Sequence, residues 1–262
     1  MNQKIYQIDA FTSKVFSGNP AAVCVLDAWL PAKTMQSIAG ENNLAETAFV
    51  VKNEAKGYDI RWFTPTIEVD LCGHATLASA YVLFKYYSHP TDEIRFSTLA
   101  SGELSVVKSK DRLTLNFPAD IINKMATPQA LIDAFGKAPL ETFKGKTDFV
   151  LVYENQKEIE TFTPDLSLIK KAGGRGCIIT APGNEVDFVS RFFGPQVGVD
   201  EDPVTGSAHT SLTPIWSEKL GKIKLKARQL SKRQGDLDCE LKGDRVLITG
   251  TAVTYLIGEI EI

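Results

Sequence analysis

The side chains able to move protons gather in one strand entry and at two helix starts. Glu46 lies in NNLAETAFVV between Ala45 and Thr47, at the mouth of an apolar run. A carboxylate among nonpolar neighbours holds its proton more tightly, which suits a general acid/base. Gly73-His74-Ala75 and Gly206-Ser207-Ala208 each open an expected helix. The first N–H groups of a helix lack partners and carry the positive end of the peptide dipoles, so they hold carboxylates and phosphates well. Glycine at that point lets a ligand approach the backbone closely. Asp202, in DEDPVTGSAH, adds a second carboxylate, and His74 beside an anion site is a credible proton carrier. Plainer roles are open to each. Glu46 could face solvent at a strand end, and Asp202 could shape the turn at Pro203 or cap the helix. His74 could cap or pack, Ser207 could be a first-turn residue only, and His209 fits helix packing or a hydrogen bond across a cleft.

Other chemistries lack their residues. His74, His89 and His209 are scattered, there is no H-E-x-x-H and no clustered acidic loop, so no metal site is expected. AGGRGC at 172–177 lacks the helix and acidic follow-up of a dinucleotide loop, and no P-loop or G-x-S-x-G elbow occurs. Cys24, Cys72, Cys177 and Cys239 stand far apart and read as separate reduced thiols. The chemistry open to this chain is proton transfer without a cofactor.

The elements that must position these residues repeat. RWFTPTIEVD from Arg61 aligns with RFFGPQVGVD from Arg191, pairing Arg61 with Arg191, Phe63 with Phe193, Pro65 with Pro195, Val69 with Val199 and Asp70 with Asp200. After a three-residue insertion, LCGHAT from Leu71 meets VTGSAH from Val204, so Gly73 faces Gly206, His74 faces Ser207 and Cys72 faces Thr205. Either two strand-turn-helix units are alike by chance or the chain is a duplication; the shared offset, aromatic-Pro turn and Gly-x-Ala step favour duplication. Two similar halves imply a pseudo-two-fold arrangement with a small-molecule cleft between them. Period-two runs place strands at 4–11, 21–27, 46–52, 58–63, 94–98, 102–108 and 112–117, then at 148–154, 157–162, 176–181, 186–193, 224–230, 236–242, 244–250 and 253–261. Helices are expected at 31–42, 73–87, 128–135, 164–172 and 206–220. The reading is α+β: a half at 1–118 around helix 73–87 and a half at 129–262 around helix 206–220, with the last strand able to cross to the first half. PADIINKMATP at 118–128, with its two prolines, suits a linker.

Length, charge and composition narrow the partners. The chain has 262 residues, 44% hydrophobic and 23% charged, as in an ordinary globular protein. Its net charge of −3, from 29 basic and 32 acidic residues, gives no bulk field for a nucleic-acid backbone. No apolar run reaches the roughly 20 residues of a membrane helix, and MNQKIYQIDAFTS lacks a signal-peptide core, so a cytoplasmic protein is expected.

GNPAAV at 18–23, NLAETAF at 43–49, FTPTIEVDLCGHATLA at 63–78 and EDPVTGSAHTSL at 201–212 resemble the phenazine-biosynthesis PhzF-like isomerases, which share the diaminopimelate epimerase fold. The resemblance runs over the whole chain. It implies two pseudo-symmetric halves, each a mostly antiparallel, β-barrel-like sheet wrapped around a central helix. It also implies a site in the cleft, no cofactor and a homodimer. The family's glutamate acid/base falls on Glu46, its Gly-His pair on Gly73 and His74, and its Asp and Ser on Asp202 and Ser207. Two departures stand out: Thr210 follows His209 where the family often reads cysteine, and QLSKRQG carries Gln234 where the family pattern has glycine.

The repeat also separates mechanisms. A racemase needs bases on two faces of one carbon, and the epimerase cousins use a cysteine from each half. Here Cys72 faces Thr205, whose hydroxyl is too weak an acid to replace a thiol. A single carboxylate, Glu46, moving a proton between carbons of a small carboxylate-bearing molecule is the expected chemistry. His74 and Asp202 hold or relay protons, Ser207 orients the substrate, and the N–H groups near Gly73 and Gly206, with His209 nearby, bind the anion. A two-base amino-acid or hydroxy-acid racemase and a non-catalytic small-acid binder are the alternatives.

Overall fold

Residues with strand periodicity at the start of the chain form β1 (Asn2–Ala10) and β2 (Asn19–Leu26), which pair antiparallel. α1 (Ala32–Asn42) then carries the chain back over the sheet so that β3 (Glu46–Lys52) lies parallel to β2, since parallel neighbours require such a crossover. β4 (Tyr58–Phe63) returns antiparallel and pairs with the two-residue β5 (Glu68–Val69). α2 (Gly73–Tyr86) is the second crossover, setting β6 (Glu93–Ser97) parallel to β4 before the meander β7 (Glu103–Ser109) and β8 (Arg112–Pro118).

The second stretch repeats this plan. β9 (Asn123–Met125) and α3 (Gln129–Phe135) lead to the antiparallel pair β10 (Glu141–Lys144) and β11 (Phe149–Val152). α4 (Gln156–Thr161) and α5 (Leu166–Ala172) cross to β12 (Cys177–Pro182), parallel to β11. β13 (Phe188–Gly194) turns through 195–197 into β14 (Val199–Asp202), and α6 (Gly206–Leu220) crosses to β15 (Lys224–Gln229), parallel to β13. β16 (Gly235–Lys242) and β17 (Arg245–Gly250) follow, and β18 (Ala252–Glu261) ends the chain. Antiparallel, parallel, antiparallel, parallel is thus the order of pairings in both stretches, with the parallel steps bridged by helices.

β18 runs along the whole of β1, from Asn2 opposite Glu261 to Ala10 opposite Ala252. The two units are therefore Met1–Asn116 with Thr249–Ile262, and Phe117–Ile248. The last strand, which the sequence left able to cross, pairs with the open edge of β1 in the first unit, and the second unit starts at Phe117 instead of 129 because the 118–128 segment is tied into it. β9 pairs with β10 there, and Asp120 docks on α6. The docking has a physical cause. Pro214 lies inside α6 and has no N–H to give the carbonyl of Thr210, and the Asp120 N–H takes that carbonyl at 3.2 Å while Ser211 Oγ donates to Asp120 Oδ2 at 2.7 Å. The structure describes residues 2–54 and 57–262, and among these no helix is long and apolar enough to cross a membrane.

α2 and α6 are the central helices. Nearly every α2 residue from Gly73 to Leu83 is buried, and α2 packs against β1, β2, β3, β7 and β18. A helix surrounded by strands must be apolar or internally satisfied all round. Thr76 Oγ1 and Ser79 Oγ accordingly donate to the carbonyls of Cys72 and Ala75, at 2.6 and 2.7 Å. In α6, Thr213 Oγ1 does the same to His209, and Trp216 stacks on Phe188 with its Nε1 donating to Thr180.

The repeated decapeptide has a mechanical role in each unit. Arg61 binds Glu68 through two 2.7 Å hydrogen bonds and lies over the Phe63 ring; Arg191 binds Glu201 at 2.7 and 3.0 Å and lies over Phe193. Each arginine clamps the hairpin that delivers the chain to a central helix. The expected strand at 157–162 is instead α4: Asn155 caps it by accepting from the Glu158 N–H, and Gln156 bonds Glu160 one turn on. Alternation in KEIETF was a coincidence of a single buried Ile159. β5, β9, β10 and β14 were too short for a periodic signal.

Two backbone and core positions yield measurements. Gly18, which delivers the chain to Asn19, has φ +66°, and a Cβ there would run into the Ala10 carbonyl oxygen and the Thr12 side chain. Gly18→Ala should lower unfolding free energy by at least about 2 kcal/mol in urea titration. His209 is fully buried, and burial lowers its pKa from 6.5 to about 4. The folded state therefore refuses a proton that the unfolded chain accepts below 6.5, so its stability is complete above that pH and falls as pH drops toward 4. Relative to His209→Gln, the wild type should lose stability by up to about 1.4 kcal/mol per pH unit across that window, read from urea midpoints.

Candidate active site

In the first unit three elements end around one imidazole. β2 begins at Asn19 and its parallel neighbour β3 begins at Glu46, with Ala21 opposite Glu46 in register. α2 begins at Gly73, after Cys72 in extended conformation, and puts His74 in its first turn. Asn19 Nδ2 donates to His74 Nδ1 at 3.1 Å, and His74 Nε2 lies 3.2 Å from Glu46 Oε2. An amide N–H at Nδ1 leaves the ring proton on Nε2, the nitrogen nearest the carboxylate. Asn19 and His74 are buried, and Glu46, with 17% of its side chain exposed, is the member of the three that keeps a surface. Cys72 Sγ is 3.5 Å from His74 Nδ1, and donor atoms of Glu46, Cys72 and His74 lie within 4.8 Å of one another. No spacing in the sequence disclosed that cluster.

In the second unit the start of α6 is held differently. Thr205 occupies the position of Cys72, but its Oγ1 donates to Asp202 Oδ2 at 2.5 Å and accepts from Gln229 Nε2 at 3.1 Å. Gln229 also accepts from the Thr205 N–H at 2.8 Å and donates to the Asp202 carbonyl at 2.7 Å, while Ser231 Oγ donates to the Pro203 carbonyl. Both side chains come from QLSKRQG, whose Gln234 keeps φ +54°, the left-handed region where glycine fits best. Asp202 is thus an acceptor inside a network that fixes the helix entry. Ser207 Oγ accepts from Arg175 Nη2 at 3.0 Å. The same guanidinium grips buried Asp148 through Nε and Nη2 and lies over the Phe192 ring.

His209 donates from Nδ1 to the Thr205 carbonyl at 2.8 Å. With no exposed surface and a lowered pKa, it is a neutral anchor for the helix entry, and the structure gives it no surface for a ligand. The structure therefore brings Glu46 and His74 together beside Gly73 in one unit, and Asp202 and Ser207 beside Gly206 in the other. Asn19, Gln229, Arg175 and Asp148 were missed as site residues. Asn19 and Gln229 sit inside motifs whose resemblance was visible, and Arg175 inside AGGRGC; Asp148 left no signal in the sequence. All four cysteines are unpaired by disulfides and buried.

The chain matches the family described as phenazine biosynthesis-like protein (PhzC-PhzF) over residues 8–258. It is 49% identical, over 262 residues and the full length of both chains, to an uncharacterized isomerase of Pseudomonas aeruginosa. The crystal structure of a PhzF family phenazine biosynthesis protein of Enterococcus faecalis has a TM-score of 0.96 to it at 45% identity, covering 100% of each chain. A hydroxyproline epimerase of Agrobacterium vitis, 11% identical, shares the fold with a TM-score of 0.65 over 99% of this chain and 92% of that one. The architecture is the α+β, diaminopimelate epimerase-like fold, and the chain belongs to the phenazine biosynthesis-like family.

Proposed function

We propose that this protein is an isomerase that moves a proton between two carbons of a small carboxylate-bearing molecule without a cofactor, with Glu46 as the single acid/base. The observation that carries this reading is the Asn19–His74–Glu46 series, a hydrogen bond followed by a 3.2 Å contact between His74 Nε2 and Glu46 Oε2, in which the outermost group keeps a surface. A base must reach the substrate, and the group behind it must hold its orientation and compensate its change of charge. His74 Nε2 is placed to do this for Glu46: in this reading its N–H closes on the carboxylate when substrate is bound and relaxes when Glu46 takes the proton from carbon. The same carboxylate then returns the proton to a second carbon on the same face, which shifts a double bond.

The substrate's own carboxylate, in this reading, is held by first-turn N–H groups at Gly73; the start of α6, with Gly206 and Ser207, offers the same kind of anion site in the second unit. Arg175 supports that task. Its N–H occupies a lone pair of Ser207 Oγ, which turns the hydroxyl proton outward as a donor, and its positive charge beside that hydroxyl favours an anion. Asp202 acts through Thr205, keeping the helix entry in place. The names given to relatives, among them an isomerase of Pseudomonas aeruginosa, agree with this class of reaction. Two-thiol racemisation is disfavoured because the hydroxyl of Thr205, facing Cys72 in the repeat, is engaged as a donor to Asp202.

The test is incubation with a panel of unsaturated and amino carboxylates in heavy water, with deuterium uptake followed by mass spectrometry. One or more members should exchange and rearrange, and a substrate labelled at the donor carbon should return part of its own label to the acceptor carbon, as a single base allows. A panel with no exchange, or exchange at one carbon with loss of configuration, overturns the reading. Glu46→Gln should lower turnover by about 10³-fold or more with an unchanged melting temperature. Arg175→Gln should raise KM about tenfold or more with a smaller effect on kcat, the signature of lost binding to a charged group.

A further inference from the structure

The thiol of Cys72 takes no part in the reaction proposed above, yet it faces the same imidazole as Glu46. We propose that Cys72 and His74 form a binding site for a thiophilic divalent cation such as Zn²⁺, and that occupancy switches off the Glu46 acid/base. The switching half of this proposal rests on the role assigned to Glu46; the binding half does not.

Geometry carries the binding. A tetrahedral zinc with Zn–S near 2.3 Å and Zn–N near 2.0–2.1 Å separates sulfur from nitrogen by about 3.5 Å. Cys72 Sγ and His74 Nδ1 are 3.5 Å apart. The nitrogen concerned is the correct one, because Nδ1 carries the lone pair while Nε2 carries the proton. Asn19 also lies at that nitrogen, its side-chain amide 3.1 Å away. Rotating that amide by half a turn brings Oδ1 where Nδ2 was, as a third ligand, and leaves one position for water. On the far side of the ring, Glu46 at 3.2 Å is placed as the carboxylate that accepts from the other N–H of a metal-bound histidine, the arrangement that orients such a ligand and raises its basicity. The ligand atoms of Glu46, Cys72 and His74 already lie within 4.8 Å of one another, so the cluster gathers round the ion by side-chain rotation.

The step balances simply. The cation displaces the thiol proton, Cys72 binds as thiolate, and one proton leaves to solvent for each ion bound. Occupancy then disables Glu46 by position: its carboxylate is held as the acceptor of the far N–H of a metal-bound histidine and is no longer presented to a carbon acid.

Cobalt(II), which reports thiolate coordination by a charge-transfer band in the near ultraviolet, is the probe. Titration of the full-length, chelator-treated protein should give that band at one equivalent, and Zn²⁺ should bleach it. Cys72→Ser should abolish the band, leaving Cys24, Cys177 and Cys239 as buried controls. Glu46→Gln should keep the band but weaken binding 10- to 100-fold. Zn²⁺ should also protect Cys72 from alkylation, located by peptide mass spectrometry, a measurement that needs no variant. No band at millimolar cobalt, or a band that persists in Cys72→Ser, overturns the binding site. In the exchange assay, Zn²⁺ should inhibit the wild type at least tenfold more strongly than Cys72→Ser, and equal inhibition overturns the switch. A protein that binds cobalt through Cys72 but exchanges no panel member would refute the isomerase reading and leave the cation site standing.

Discussion

An imidazole carried inside a sheet by the first turn of a helix has two nitrogens to satisfy, and water is not available to do it. His74 is 4% exposed, and leaving either nitrogen bare would cost on the order of 1–3 kcal/mol. The first unit places residues from the starts of two parallel strands at both: Asn19 donates to one ring nitrogen, and the Glu46 carboxylate lies 3.2 Å from the other. Much of the local architecture follows from that requirement. The strand starts must be adjacent, so β2 and β3 must be parallel, and a parallel pair needs the α1 crossover. Gly18 must hold a left-handed turn so that Asn19 enters β2 already aimed at the ring. The residue that emerges toward solvent from this arrangement is a carboxylate whose position is fixed by the imidazole behind it.

The same frame occurs in the second unit with the polarity of the site rearranged. Both units use an arginine over a phenylalanine ring to close the hairpin that precedes a central helix, which explains why Arg61, Phe63, Arg191 and Phe193 are among the identities of the repeat. Beyond the clamp the sequences diverge where chemistry does. Cys72 meets a histidine, whereas Thr205 meets an aspartate and a glutamine. His74 is replaced by Ser207, which gains an arginine. A repeated scaffold thereby supplies one helix start with an imidazole beside a carboxylate and another bordered by a guanidinium.

The features legible in the sequence were those that repeat or that run long. The central helices at 73 and 206 were readable because glycine punctuates both and the repeat aligns them, and Glu46 was readable because a charged residue opening an apolar strand is conspicuous. What escaped was decided by tertiary contacts. α4 looked like a strand because its single buried isoleucine left the rest of the segment to alternate by chance, and its cap, Asn155, carries the helical information. The proline-rich linker was docked rather than loose, for a reason that lies in Pro214, nearly a hundred residues away. Arg175 was passed over within a glycine-rich loop that failed as a nucleotide motif. The side chain matters there for its grip on Asp148 and Ser207, which no local spacing records.

The two histidines show how the fold confines its chemistry. His74 and His209 both lie in the opening turns of central helices and both are buried. Their ring nitrogens face different partners. On His74 the proton is on Nε2 and meets a carboxylate that keeps a surface; on His209 it is on Nδ1 and meets a backbone carbonyl four residues back. A proton facing a carboxylate can be shared as the charge on that carboxylate changes. A proton facing a carbonyl has nowhere to go, and the burial that drives the His209 pKa down to about 4 keeps a second one from joining it. One residue type near the start of each central helix therefore meets a carboxylate in one unit and a backbone carbonyl in the other, and the difference is set by the single atom opposite each ring.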